Sequence, residues 1–450
     1  MDTLFPMSLL HVLESFAPLF AANHFRYFQG WMLATLLLGT TRKCVTNIAR
    51  VCCWVDRHVS SWERFLSEAQ WDLPAVQERM VRLLQAQLGD QLLIGGAYLA
   101  WVDTTLVSKV NGRMPGVQCW HDHSGNPDRG AHLVGHHWAL AGLLGVTVLA
   151  QQATPLAWPL LARLIPGNAN PFGFIVSPEG MARAMTFWDA VCPLVAQLTL
   201  WLASHPLRVV ADAYFCKAPF LTWMLALHVH VITRMRWDAV GWDDLPPEPP
   251  RPPGQKPRGR PRTRPRPGRQ WKLAELLTQG PLTPVTVWIY GHLHTLQIVT
   301  REVWIRDVAQ KVRVVVIKTN GRPVILLSTD LTLCPEMLIQ IYALRFALEL
   351  SLREAKQHGG LGDYQCISFG AMTRFVSLSL LSVCLGRLLL LATQQADWLQ
   401  GPEATAPLSI TRLSRAVRRF VLRQLFQRSA SRANCQKSEP VPEEIIRLVA

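Results

Sequence analysis

The chain has 450 residues, 49% of them hydrophobic, and a formal net charge of +15 from 46 Lys plus Arg against 31 Asp plus Glu. That length accommodates two or three domains, and the basic excess argues for a polyanionic partner, either nucleic acid or an anionic membrane. Ten cysteines contain no CxxC pair and MDTLFPMSLLHVLESFAPLF lacks the basic stretch of a secretory signal, which argues against a disulfide scaffold and for reduced thiols in the cytoplasm.

Residues 1–92 show helical periodicity without strand-like alternation. Within them, TRKCVTNIARVCCWVDRHVSSWERFLSEAQW reads as a helix over 45–54, a turn, and a second helix opened by Ser60 or Ser61. As a helix-turn-helix it offers Arg42, Lys43, Arg50 and Arg57 to phosphates; as a plain helical bundle it offers no site.

Two short apolar runs, LLIGGAYLAWVDTTLVSK and LRVVADAYF, read as buried strands that end in Asp103 and Asp212. An acid at the edge of a core is costly unless it is paired or bound to metal. A strand-end Asp also serves as a turn former or cap, so neither residue decides the matter alone. Between them, HWALAGLLGVTVLA and ATPLAWPLLA read as further strands. CWHDHSGNPDRGAHLVGHHW gathers Cys119, His121, Asp122, His123, His132, His136 and His137, with His132 and His136 at the i, i+4 spacing that one helix could present to a metal. No closed four-ligand spacing is present. A structural zinc, a contact near the first acid and ordinary loop or core histidines all remain open.

Ten prolines between 246 and 267 preclude regular helix or central strand and predict an extended or disordered arm. Residues 251–272 carry nine basic residues and no acid, leaving about +6 for the rest of the chain. Arg258-Gly259-Arg260-Pro261 matches an AT-hook core, which lies in the minor groove of A·T-rich DNA; a flexible basic linker is the other reading. Beyond the arm, VTVWIYGHLHTLQIV, TREVWIRD, VRVVVIKT and PVILLSTDL predict antiparallel strands, with a hairpin turn at Asn320-Gly321.

IYALRFALELSLREAKQHGGLG then predicts an amphipathic helix stopped by Gly359-Gly360. On a regular helix Tyr342, Arg345, Glu349 and Lys356 fall within roughly 60° of one another, with Arg353 among them, while Leu344, Leu348 and Leu352 form a separate apolar stripe. A solvated face with a Glu349 to Arg353 ion pair is the plain alternative. Two strand-end aspartates and one helix-borne glutamate make a three-carboxylate set suited to a pair of Mg²⁺ ions. FVSLSLLSVCLGRLLLLATQQ is apolar enough to invite a membrane reading, but Arg387 and four Ser or Thr residues predict a buried core helix. The chain closes with a basic helix, TRLSRAVRRFVLRQLFQR, whose Arg415, Arg418, Arg419 and Arg423 serve either DNA or a multimer contact.

Tyr342, Arg345, Glu349 and Lys356 match without a gap the Tyr-x2-Arg-x3-Glu-x6-Lys signature, and the chain resembles the bacterial insertion-sequence DDE transposases of the YREK-signature, insertion-sequence-four-like group. ILLSTDLTL, GLGDYQC and HVHVITRMRWDA extend the resemblance over residues 95–395. It implies an α/β fold: an RNase H-like catalytic core interrupted by a mostly β insertion, with a helical N-terminal DNA-binding domain. In this chain those parts fall at 1–92 (DNA-binding domain), 93–240 (first part of the core), 241–325 (insertion, with the basic arm at 246–272), 326–398 (second part of the core, with the signature helix) and 399–450 (basic tail).

The resemblance further implies a transposase that binds element ends and catalyses Mg²⁺-dependent DNA cleavage and strand transfer, with Mn²⁺ as a substitute metal. Asp103, Asp212 and Glu349 would be the catalytic acids and metal ligands. Tyr342, Arg345, Arg353, Lys356, Arg234, Arg236 and, in the arm, Arg258, Arg260, Arg262 and Arg264 would contact DNA, and Trp288 or Trp304 would stack on a base near the cut. Its partners would be double-stranded DNA, at element ends and target, and a second copy of the chain, with no membrane, in the bacterial cytoplasm at the nucleoid. The alternative is a non-catalytic, AT-rich-DNA-binding protein derived from a transposase.

Overall fold

A computed structural model describes residues 4–52, 54–55, 57–110, 112–122, 130–149, 151–167, 174–176, 182–244, 269–399 and 409–433. Arg258, Arg260, Arg262 and Arg264 of the arm lie outside the described residues, as does His123. The chain is mixed α/β and divides into two compact units, one of Met1–Leu92, Thr104–Leu194 and Ala347–Ala450, the other of Leu93–Asp103 and Val195–Phe346. The N-terminal helices thus share a unit with two later segments.

In chain order, the first unit contains helices α1 (Ala22–Leu38), α2 (Val45–Val51), α3 (Val59–Ser67) and α4 (Leu73–Leu88). Strand β1 (Ala97–Ser108) passes from the second unit into the first after Asp103, and β2 (His132–Leu149) and β3 (Gln152–Leu164) form a long antiparallel hairpin. The second unit holds β4 (Leu207–Ala211), β5 (His230–Met235), β6 (Thr283–Ile289), β7 (His292–Val303), β8 (Val312–Ile317), β9 (Val324–Ser328) and helix α5 (Pro335–Ala343). Helix α6 (Phe346–Gln357) begins at the division, and α7 (Phe369–Thr393) and α8 (Ile410–Ala433) return to the first unit.

The first unit is organised around α7, which is apolar on all sides and therefore needs neighbours on all sides. It packs against β3, α1, α3, α4 and α8. By length and composition α7 could cross a membrane, yet 89% of its most apolar window is buried inside the protein. Its buried arginine, Arg387, is 5% exposed and donates to the Glu354 carboxylate at 2.7 and 3.0 Å. Strand β3 carries Pro155 and Pro159, which lack an N–H to donate; among the described residues it pairs with β2 alone, and the ladder bulges opposite Ala141 and Gly142 beside Pro159.

Two lysines are sunk in this unit. Lys43 Nζ donates to the carbonyls of Gly39, Thr41 and Gln357, so one cation caps the C-terminal ends of α1 and α6. Lys109 Nζ donates to the carbonyls of Gly362 and Tyr364 and stands 3.9 Å above the Tyr364 ring. Burial pulls both ammonium groups down to about 8, with Asp363 opposing. Lys43, expected to face phosphate, is instead 1% exposed and structural. The expected 45–54 helix ends at Val51, and the cap of α3 is the His58 imidazole, which accepts from Ser60 N–H, rather than Ser60 or Ser61.

The histidine cluster is built on strands. His132 and His136 belong to β2, where extended backbone separates i and i+4 by about 13 Å, so the helical metal pair considered for them does not form. His136 is fully buried, with Nδ1 2.7 Å from Tyr364 Oη and Nε2 3.0 Å from the Pro115 carbonyl. His121 and His132 face each other across the β2 ladder with ring centroids 5.2 Å apart. Among the described residues no group of three His, Cys, Asp or Glu side chains converges to hold a metal ion.

The sheet of the second unit runs β6-β7-β8-β9-β5-β4-β1. Strands β1, β4 and β5 are parallel neighbours, and β9, β8, β7 and β6 continue as an antiparallel meander. The strands expected as an insertion therefore extend the sheet that carries Asp103 and Asp212. Asn320-Gly321 sits in a six-residue loop between β8 and β9 and not in a two-residue turn. The tight turn is Tyr290-Gly291, both at positive φ (52° and 82°), between Ile289 and its partner His292. Beneath the sheet, Arg208 of β4 pairs with Asp330 at 2.9 Å and donates to the Ile94 and Gly95 carbonyls, and Thr332 donates to the same acid. Burial opposes ionisation of Asp330, but the bonds from Thr332 and Arg208 together hold its carboxyl below the usual range.

Two stability predictions follow from these buried groups. Asp330→Asn strands the Arg208 guanidinium, and urea unfolding at pH 7 should show a loss of about 3 kcal/mol; a loss under about 1 kcal/mol would show that the pair is dispensable. For His136, burial lowers the imidazole to about 4. The unfolded chain accepts its proton near pH 6.5 and the folded chain near 4, so stability is full above pH 6.5 and falls as pH drops between them, by on the order of 3 kcal/mol. His136→Gln should flatten that segment of the profile, read as the urea midpoint at pH 4.5 against pH 7.

Candidate functional site

The site of the second unit begins with the register of its parallel strands. Tyr98, Leu99, Ala100 and Trp101 of β1 pair with Leu207, Arg208, Val209 and Val210 of β4, an offset of 109 residues that aligns Asp103 with Asp212 two positions further on. Register-equivalent residues of adjacent parallel strands share a face, and their strands lie about 4.8 Å apart. The next strand continues the line: Ala211 pairs with Thr233, which brings Arg234 level with Asp212. Continued past the last paired residues, these registers put Asp103, Asp212 and Arg234 at one level of three neighbouring segments.

Asp212 follows directly on β4 and does act as a cap, its Oδ1 accepting the Tyr214 N–H at 2.9 Å. Its own carbonyl accepts from Thr233 Oγ1 at 2.7 Å, a tie to β5 that sequence reasoning did not anticipate. The Thr-Arg step at the end of an apolar run was its only trace. Asp103 differs from expectation, since β1 continues five residues beyond it to Ser108 and the acid lies inside a strand. Both aspartates are half-buried.

The chain brings two signature residues to this edge. Tyr342 lies on α5 within electrostatic reach of Asp212, Arg234 and Arg345, and Arg345 is hydrogen-bonded to its hydroxyl. Burial pushes the phenol above its ordinary value; Arg345 and Arg234 oppose that rise and Asp212 adds to it. Tyr342 therefore remains a protonated phenol at neutral pH, held between one carboxylate and two guanidinium groups.

The signature does not lie on one regular helix. Helix α5 ends at Ala343, Leu344 and Arg345 form a turn, and α6 starts at Phe346, so the common face expected for Tyr342, Arg345, Glu349 and Lys356 is interrupted. The interruption coincides with the division between units. Tyr342 and Arg345 fall with the two aspartates, and Glu349, Arg353 and Lys356 fall in the first unit, where all three are exposed. The buried face of α6 is Ala347, Leu348, Ser351 and Ala355, while Leu344 and Leu352 of the expected apolar stripe are half-buried.

The remaining candidates separate. Arg234 is exposed beside the acids, whereas Arg236 is paired with Asp238 through two bonds of 2.9 and 3.0 Å. Trp304 is committed to structure: its main chain bridges to Trp242, and its indole N–H donates to Asp244 at 2.7 Å. Trp288, on β6, is 57% exposed beside the Tyr290-Gly291 turn.

No curated protein matches the chain. A sequence model of the DDE superfamily endonucleases matches residues 15–291, a span that includes Asp103, Asp212, Arg234 and Trp288 and ends before Tyr342, Arg345 and Glu349. With more than half of its length in that match, the chain belongs to the DDE superfamily endonucleases.

Proposed function

We propose that the protein is a transposase of the YREK-signature group that binds element ends and performs divalent-metal-dependent cleavage and strand transfer of DNA. The observation that carries this reading is the register that levels Asp103 with Asp212 and the gathering of Arg345, Arg234 and Asp212 around Tyr342. An RNase H-like core accounts for acids on adjacent parallel strands, with Glu349, four residues beyond Arg345, as the third acid. Their donors are hard carboxylate oxygens, which suit Mg²⁺ or Mn²⁺. When bound, such ions supply charge neutralisation at a phosphate and activation of a water or a 3′-hydroxyl.

The chain's own residues do the rest. Asp103 and Asp212 present oxygens at one level, and the Tyr214 amide fixes the Asp212 carboxylate from below. Arg345 and Arg234 place guanidinium forks about Tyr342, where they attract the scissile strand's phosphates and hold them bidentately. Tyr342, kept protonated, donates to a phosphate oxygen without adding charge. Arg353 and Lys356, exposed on α6, are further phosphate contacts, and the proline-arginine arm grips A·T-rich DNA. Trp288 is the stacking residue for a displaced base. Two element ends require two copies of the chain, so a dimer assembles on DNA in the bacterial cytoplasm.

A second reading, a non-catalytic DNA-binding protein of transposase descent, is favoured by one fact: among the described residues no three acids form a metal-holding group. Both readings are tested with duplexes carrying the terminal repeats that flank the gene, in Mg²⁺ or Mn²⁺. Outer-shell partners of a metal alone are worth about 10–100-fold, so Asp103→Asn, Asp212→Asn and Glu349→Gln should each lower cleavage by more than about a hundredfold. Binding should stay within about twofold, since none of these removes a cation. Cleavage retained in any variant would remove that acid from the assignment, and binding without cleavage by the unaltered protein would establish the second reading.

A further inference from the structure

The edge of the sheet that carries the two aspartates carries a second feature. Strand β5 ends at Met235, whose partner Ile325 lies at the start of β9, so the loop 318–323 that leads into β9 emerges at the same edge as Asp212 and Arg234. This loop carries two exposed cations, Lys318 at its start and Arg322 near its end, and Arg322 lies next to Trp237 on the exit from β5. Arg322 stacks its guanidinium 5.0 Å from the centre of the Trp237 ring, and Trp237 is 48% exposed. The loop is closed on itself, with Thr319 Oγ1 donating to the Arg322 carbonyl at 2.9 Å and accepting from Gly321 N–H at 3.2 Å. Arg236, the residue before Trp237, is 76% exposed and paired with Asp238.

We propose that Lys318, Arg322 and Trp237 form a shelf that binds the phosphate backbone of the DNA strand leaving the two aspartates. The proposal rests on the endonuclease reading for the identity of the polyanion, and on its own geometry for the place. Two strand spacings separate β4 from β9, about 10 Å, which is roughly three nucleotide rises along one strand. Stacking on an indole holds a guanidinium flat and leaves its N–H edge for a bidentate phosphate contact. Arg234, Lys318 and Arg322 leave the shelf positive even with Arg236 neutralised by Asp238. A closed loop presents these cations with little ordering left to be lost on binding.

The test uses full-length protein carrying Asp212→Asn, so that binding is read without cleavage, and a duplex of an element end followed by fluorescence anisotropy across a salt series. Each phosphate contact contributes about one to the slope of log affinity against log salt. Lys318→Glu with Arg322→Glu should weaken binding at least tenfold at about 0.1 M salt and flatten the slope by about two. Trp237→Ala, which releases Arg322 but removes no charge, should weaken binding about threefold with the slope nearly intact. If charge reversal unfolds the chain, seen by circular dichroism, Lys318→Gln with Arg322→Gln gives the same slope change in milder form. A folded double variant with wild-type affinity and slope overturns the shelf alone. A wild-type chain that fails to bind DNA overturns the shelf and the endonuclease reading together.

Discussion

Everything at the candidate site depends on one backbone constraint, the parallel pairing of β1 with β4 at an offset of 109 residues. Loop-closure entropy grows only logarithmically, so this pairing costs about 1.4 kcal/mol more than the 22-residue step that pairs β4 with β5. Buried apolar contacts recover that easily: Ala100, Trp101, Val102, Val209, Val210, Ala211, Val231 and Ile232 are all buried along the three strands. The chain thus spends apolar residues up to one level of the sheet and then places charge at the next. Asp212 stands where β4 stops, and Asp103 and Arg234 occupy less buried positions among buried neighbours.

A carboxylate at such an edge is stable only among partners, and the structure supplies them from distant parts of the sequence. Thr233 ties the Asp212 backbone to β5, Tyr214 caps its side chain, and Tyr342 brings Arg345 from more than a hundred residues away. The cations reduce the cost of keeping acids half-buried and also form an attractive field for a polyanion. Away from the edge, charge serves the fold. Lys43 and Lys109 end helices and loops in the first unit, Arg387 pairs with Glu354 inside it, and Arg208 pairs with Asp330 in the second.

The strands that carry the acids were legible as apolar runs next to a charge, although only β4 stops there and β1 runs on past Asp103. The helical character of the first ninety residues and the burial of α7, whose Arg387 and serines spoke against a lipid environment, were legible too. The break at Leu344-Arg345 was not, because neither residue is a helix breaker and a spacing argument assumes the helix it uses. His132 and His136 misled for a related reason: a four-residue interval fits one helix turn, yet the β-forming context of HWALAGLLGVTVL decides otherwise. Asn320-Gly321 is the usual hairpin signal, but the tight turn formed at Tyr290-Gly291, where a non-glycine residue takes positive φ. The availability of Lys43 could not be read at all, since burial of a lysine depends on carbonyls that only the folded chain gathers.

The most direct test of the central claim is the location of the bound metal. With Fe²⁺ in place of Mg²⁺, ascorbate and peroxide generate radicals that cut the polypeptide next to the ion, and the fragments are sized by mass spectrometry. The account predicts cuts beside Asp103, Asp212 and Glu349, all suppressed by Asp212→Asn or by excess Mg²⁺. Fragments that arise elsewhere, such as around His121 and His132, with none at the two aspartates, would contradict it.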